Sequence, residues 1–437
     1  MLNRVAVVGA GVSGIATAFY LRQHNIEVDL YEAKQRIGGR IGSEQLLGRR
    51  VDFGGKNIGR HYHLFREFAR ACGNPEFEYF GLNTSQLVNG RVVRINRERS
   101  KILNLLRIIN LCGLEGFAKL YPQTQAILAD RGQGALGSEF FVKISEIHDH
   151  MTLAGYLNRR CVNHVVRPIT IRMNGAEPEE CYPGNFGSNL ALVLDSYEQL
   201  KEGMHGLLDS FRVMEGPGSL RILEGHAVAS VSNAPDAGKV LISYVKGGIP
   251  GKAVYDRVIS ALPAPCLAEL LDETLPKASA LLRQIQYYPV AIAIVRYRNP
   301  VFPKDCRAMM FDSSVALSNA GAYGIEDLDL VRYTFSGRVS RSTISEYSAP
   351  EAVVGLGEEI ASPYFNIRGN PREAFVYRYL HEGLCAYSPR HHELLGKLEQ
   401  ELSMIPGLAA TGDYRRGASI EACFRAAGEC VEKTTKR

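Results

Sequence analysis

The sequence predicts an α/β protein: a nucleotide-binding domain assembled from three separated stretches, with a second, mixed α/β domain inserted twice. Three observations predict it. The first forty residues carry a strand–turn–helix–strand pattern. Strand-like segments of similar texture return from about residue 203 and again from Ala409. The intervening stretches read differently, helical first and then strand-rich. The nucleotide-binding domain is expected over 1–89, 201–280 and 376–437, and the inserted domain over 90–200 and 281–375. A length of 437 residues agrees with two or three domains and with a core that needs no disulfide or metal to hold it.

Val5 to Val8 is a short, wholly apolar run, suited to a parallel strand buried on both faces. GAGVSG then turns, and Ile15, Ala18, Phe19 and Leu21 follow at helical spacing before a second strand, Val28 to Tyr31, ends at Glu32. KILNLLRIINLCGLEGFAKL, residues 101–120, predicts a helix on which Ile102, Leu105, Leu106 and Ile109 share a face. A buried domain helix is the preferred reading, with contact to a membrane surface as its alternative. LRILEGHAVASVSNA, KVLISYV and YDRVISALP predict strands. LLRQIQYYPVAIAIVRYRNP, residues 281–300, predicts an alternating strand of a second sheet, and the tail predicts strand, turn and helix.

Composition narrows the function. Fifty-one Lys and Arg against 46 Asp and Glu leave +5, too little to imply nucleic acid. The one basic cluster, Arg91 to Lys101, reads as a solvated loop. Nine scattered cysteines without a C-x-x-C pair give neither a zinc pattern nor a secreted disulfide framework, so no metal is expected and a reducing, cytoplasmic setting is. No run of 18 uninterrupted apolar residues occurs.

The motif with chemical content is G-x-G-x-x-G at Gly9, Gly11 and Gly14. Gly9 allows the tight turn, Gly11 lets a pyrophosphate approach the backbone, and Gly14 lets helix and strand pack closely. Val12 and Ser13 open the helix, whose unpaired N–H groups and dipole favour phosphate. Glu32, at the end of the second strand, suits the two ribose hydroxyls and disfavours a 2′-phosphate. These residues predict a bound dinucleotide.

The continuation EAKQRIGGRIGSE, with Ala33, Gly38, Gly39 and Arg40 after the ribose acid, resembles the extended FAD signature of the amine oxidase, protoporphyrinogen oxidase and phytoene desaturase superfamily. VDFGG, ending in Gly54 and Gly55, is similar to the family segment beside the isoalloxazine ring. HAVASV resembles the middle segment, in which the backbone at Val228 would hold the adenine. GLAATGDYRRGASIEACF resembles the last one: Gly412 and Asp413 would approach pyrophosphate and ribityl, and the helix start at Ser419 and Ile420 would face the flavin pyrimidine.

The resemblance implies a glutathione-reductase-like Rossmann domain holding FAD, with the flavin at the junction with the substrate domain. It implies dehydrogenation of a small or medium organic substrate by hydride transfer to flavin N5. Dioxygen or another acceptor would then reoxidise the flavin. Cys385 lies too far from Gly412 for the family's covalent flavin cysteine, so non-covalent FAD is expected. Matching YYPVAIAIVRYRNPVF to the strand that carries the amine oxidase lysine puts Ile292 in its slot, as in protoporphyrinogen oxidases and desaturases. Lys56 and His61, which follow the ring-side segment, and Tyr387 are candidate catalytic groups; Tyr387 and Tyr414 are candidates to line the substrate cage. An amine or amino-acid oxidase is the alternative. More remote are a redox-neutral isomerase and a cofactor-free escort protein of the same fold, the latter opposed by the intact cofactor motifs. No G-x-S-x-G elbow supports a hydrolase.

Overall fold

A computed structural model describes residues 4–79, 83–88, 90–96, 101–216, 218–236, 238–304 and 306–436. Its organising element is a five-stranded parallel sheet in the order Leu220–Glu224, Glu27–Glu32, Arg4–Val8, Arg257–Ser260 and Leu408–Ala410. Val5 and Val7 pack on one side in a core that includes Ile15 and Phe19 of the Val12–Gln23 helix and Phe424 of the Ile420–Thr435 helix. Ala6 and Val8 pack on the other, with Val231, Ile242 and Leu267. Both parities of the strand are therefore buried, the physical reason its sequence is apolar without alternation. Beside this sheet stands an antiparallel meander of His226–Asn233, Val240–Lys246 and Ile249–Tyr255.

A second, seven-stranded sheet runs Arg372–Ala386, Gln286–Tyr297, Leu330–Phe335, Leu317–Ala322, Ala308–Met310, Asn83–Val88 and Arg91–Asn96. Its pairings are antiparallel except between Ala308–Met310 and Asn83–Val88. The Gln286–Tyr297 strand departs from the alternation expected of it. Val290 to Val295 are all buried, because Ala291, Ala293 and Val295 pack in a core containing Val353 and Val354 of the Pro350–Ala361 helix, while Val290, Ile292 and Ile294 meet Leu46, Val51 and Leu330.

The basic stretch expected to be a loop is corrected in part. Arg91–Asn96 is the edge strand of this sheet, and residues 97–100 lie outside the described ones. Positive charge on an edge strand discourages pairing with another chain, so the composition suits this position as well as a loop. The helix expected over 101–120 runs from Lys101 to Ala129, broken at Gly113, where φ is +69°. Leu106 is exposed and Ile109 half-buried, so these two do not share a buried face; the side chains of Ile102 and Leu105 lie outside the described residues. Among the described residues, no helix is long and apolar enough to cross a membrane.

Candidate active site

The turn after the first strand is built for close approach. Gly9 adopts φ +97° and donates its N–H to the Tyr31 carbonyl at 2.8 Å. A Cβ on Gly14 would lie 1.8 Å from the Gly9 oxygen, so the helix docks directly on the turn. Gly38 donates to the Ala10 carbonyl at 2.7 Å and forms a parallel bridge with Gly11. A Cβ on Gly39 would come within 3.1 Å of the Gly11 Cα. The two glycine loops thus close on one another, leaving Gly11 and Val12 half-exposed at the start of the helix and Ser13 buried beneath. Glu32 is fixed by backbone donors, Ala10 N at 3.1 Å on one carboxylate oxygen and Lys34 N at 2.9 Å on the other. Each oxygen keeps a lone pair for a hydroxyl, and Ala33 beside it is exposed. Val228 is half-buried in the strand that follows Glu224, with a register shift immediately after it.

Arg40 and Asp413 join the first and last motifs. Arg40 Nη1 donates to Asp413 Oδ2 at 2.7 Å and to the Glu382 carbonyl at 3.2 Å, while the Tyr287 hydroxyl donates to Asp413 Oδ1 at 2.5 Å. Burial pushes the Arg40 pKa down, and the neighbouring carboxylate more than reverses it. Asp413 is buried, with both carboxylate oxygens engaged by these partners. Gly412 precedes it at φ +152°, where a Cβ would meet the Tyr414 ring. Ser419 caps the final helix, its Oγ accepting from Ala422 N at 3.0 Å. Gly54 fits only as glycine, since a Cβ would fall 1.7 Å from the Arg40 oxygen. Gly55 is exposed and would carry its Cβ 3.6 Å from Ile420, which brings the VDFGG segment to the helix start.

The three catalytic candidates go to different places. Lys56 is buried, donating to Gln199 Oε1 at 2.6 Å and the Tyr323 carbonyl at 2.7 Å, with its ammonium 4.7 Å from the Tyr323 ring centre. Burial and then the Arg332 charge push its pKa well below that of an ordinary lysine. His61 is largely exposed, with Nδ1 2.8 Å from Asp195 Oδ1. Tyr387 is buried, with its hydroxyl 3.5 Å from the Asp413 carbonyl and its ring edge-on to His391. The three share none of these partners. Tyr414 is wholly buried in the core beneath the parallel sheet.

Sequence reasoning missed the contribution of the second sheet. Arg332 of Leu330–Phe335 donates to the carbonyls of Asp52 at 3.3 Å, Phe53 at 3.4 Å and Gly54 at 3.0 Å. It braces the VDFGG segment from the opposite side. One cross-strand register aligns Gln86, Met310, Asn319, Thr334, Ile292 and Arg378. Cross-strand partners project to one face. Ile292 sits there among Leu46, Val51 and Tyr323, with Asn319 and Thr334 half-exposed alongside. Only the family match at Ile292 signalled this row; its other members come from pairings that no local motif marks.

The glycine cradle, the Glu32 carboxylate and the Arg40–Asp413 link come together where close approaches admit no side chain, and the residues present fit FAD. The sequence profile described as flavin containing amine oxidoreductase matches residues 12–320, and the chain belongs to that family. It is an FAD-dependent oxidoreductase. The chain is 24% identical over 452 residues to coproporphyrinogen III oxidase of Mycobacterium tuberculosis, covering 97% of this chain and 96% of the relative. Its fold is similar to a putative protoporphyrinogen oxidase from Exiguobacterium sp. 255-15, with a TM-score of 0.73 at 16% identity over 100% of this chain and 99% of the other. Cyclohexylamine oxidase from Brevibacterium oxydans is similar to the same degree: TM-score 0.73, 16% identity, 100% and 99% coverage.

Proposed function

We propose that the protein dehydrogenates the carbon skeleton of a medium-sized organic substrate of the porphyrinogen type, in the manner of protoporphyrinogen oxidases and desaturases. The observation that carries the reading is Ile292. It lies in an aliphatic cluster on the sheet face that meets the ring-side segment, in the slot where amine oxidases that use a lysine carry it. The coproporphyrinogen III oxidase likeness along nearly the whole of both chains supports the same reading. FAD supplies a two-electron acceptor at the flavin. The protein's share is orientation and electrostatics. Glu32 and the helix start at Gly11 to Ser13 hold the adenosine and pyrophosphate. Arg332 fixes the carbonyls of residues 52–54, and the Ser419 end of the last helix favours negative charge nearby.

The parallel sheet, with its glycine turn and meander, supports a glutathione-reductase-like FAD domain over 1–89, 201–280 and 376–437. The antiparallel sheet and helices form the substrate domain over 90–200 and 281–375. Two strands, Asn83–Val88 and Arg372–Ala386, tie these stretches together. FAD is held without a covalent bond: Cys385 is wholly buried, and burial drives its thiol pKa well up, away from the reactive thiolate. Dioxygen or another acceptor takes the electrons. The test is anaerobic mixing of the yellow protein with coproporphyrinogen and with a panel of primary amines. Bleaching of the flavin band by the porphyrinogen alone is expected; bleaching by amines alone overturns the reading in favour of C–N oxidation.

A further inference from the structure

The helix Arg167–Asn174 lies against the seven-stranded sheet, touching the strands Leu317–Ala322 and Arg372–Ala386. Most arginines around it are neutralised. Arg167 is paired with Glu177 and Glu179, and Arg341 with Glu180. Arg172 differs. Among the described residues no carboxylate lies within ion-pair distance of it, and its Nη1 donates instead to Met310 Sδ at 3.0 Å. A thioether is a weak acceptor, so most of the five guanidinium donors remain open.

The side chain is exposed by area, yet burial pushes its pKa down. Its contact with the Met310 side chain places it on the sheet face that carries Ile292. The phenol of Tyr197 acts on it electrostatically. Arg172 therefore borders the same side of the sheet as Ile292. A guanidinium without a carboxylate partner there is open to an incoming anion.

We propose that Arg172 anchors a carboxylate of the substrate. This rests on the dehydrogenase reading above and adds the charge and length of what is bound. Met310 stands on the same cross-strand row as Ile292, three strand spacings away. At ~4.8 Å per spacing the anchor lies roughly 14 Å from the Ile292 position. The substrate then carries an acid group about that far from the carbon being oxidised. The guanidinium fork grips a carboxylate in two places and repels a cationic amine.

The test titrates oxidised, FAD-loaded protein with coproporphyrin, phenylbutyrate and phenylbutylamine, following the flavin visible band, in wild type, Arg172→Met and Arg172→Lys. Carboxylate probes are expected to bind wild type, with Kd rising about tenfold to a hundredfold in Arg172→Met. Arg172→Lys should fall between, because lysine keeps the charge and loses the fork. It also carries the test should the methionine variant lose its flavin. Carboxylate binding that survives both substitutions unchanged overturns the assignment and leaves the dehydrogenase reading standing. Loss of binding in the variants, with no porphyrinogen able to bleach the flavin, supports the anchor and removes the proposed substrate. Preference for phenylbutylamine, or no band shift with any probe, overturns the assignment.

Discussion

His391 makes stability depend on pH. It opens the His391–Leu402 helix, is 1% exposed, and donates through Nε2 to the Tyr414 carbonyl at 2.7 Å, one residue from Asp413. Burial lowers its pKa from 6.5 to about 4; the hydrogen bond to Tyr414 opposes this, and the charges of Arg415 and His392 add to it. The positive end of its own helix works in the same direction. The folded protein therefore keeps the ring neutral, while the unfolded chain takes up a proton below 6.5. Stability is lost as pH falls from 6.5 and the loss is complete near 4. At ~1.4 kcal/mol per pKa unit the full effect is about 3 kcal/mol, with about 2 kcal/mol already lost near pH 5. Urea unfolding at fixed total FAD, near pH 7 and pH 5, measures it against His391→Gln. That variant offers Tyr414 an amide donor and does not titrate. The wild type should lose about 2 kcal/mol more than the variant, since other groups cancel in the comparison. Equal losses would refute the reasoning.

Glu32→Ala should weaken FAD binding about tenfold to a hundredfold, because charge-assisted hydrogen bonds to the ribose are worth roughly 1.5–3 kcal/mol; unchanged flavin occupancy after dialysis would show that the ribose lies elsewhere. Gly14→Ala should cost about 1–3 kcal/mol and much of the bound flavin, since the new Cβ meets the Gly9 oxygen at 1.8 Å. A yellow variant with wild-type Tm would contradict it. Ile292→Lys should speed reoxidation of the reduced flavin by dioxygen, because it puts a cation where charge develops; stopped-flow mixing with oxygenated buffer measures this. Fast wild-type reoxidation, indifferent to the substitution, would refute it.

The geometry of the glycine turn was legible because its determinants are local. Gly9, Gly11, Gly14 and Glu32 fall within one strand–helix–strand unit, and the geometry between them follows from the regular spacing of helix and strand. The proposed substrate row was not. It joins Gln86 to Arg378 through six strands, and each side chain reaches that face only through a register set by distant pairing. The same limit explains Lys56 and His61. They are neighbours in sequence after VDFGG, but the chain turns between them, so one ammonium is enclosed and one imidazole faces outward. Arg172 carried no sequence signal because its helix holds Arg167 as well, and only the pattern of ion pairs separates them.

The flavin-side segment is held by both sheets at once, and that has a consequence for how the site works. Gly54 packs on the Arg40 backbone, and Arg40 is tied to Asp413 in the last motif. From the other direction Arg332 of the antiparallel sheet gathers the carbonyls of residues 52–54, and the Tyr323 hydroxyl accepts the Asp52 N–H at 2.5 Å. The cofactor motif therefore cannot shift without moving the strand that carries Arg332, next to the strand of Ile292. A rigid brace of this kind keeps the distance between the flavin side and the Ile292 row constant, as transfer between a bound cofactor and a positioned carbon requires. Substitutions at Arg332 should then disturb substrate orientation and flavin environment together. Substitutions at Glu32, on the far side of the parallel sheet's glycine turn, should disturb cofactor affinity alone.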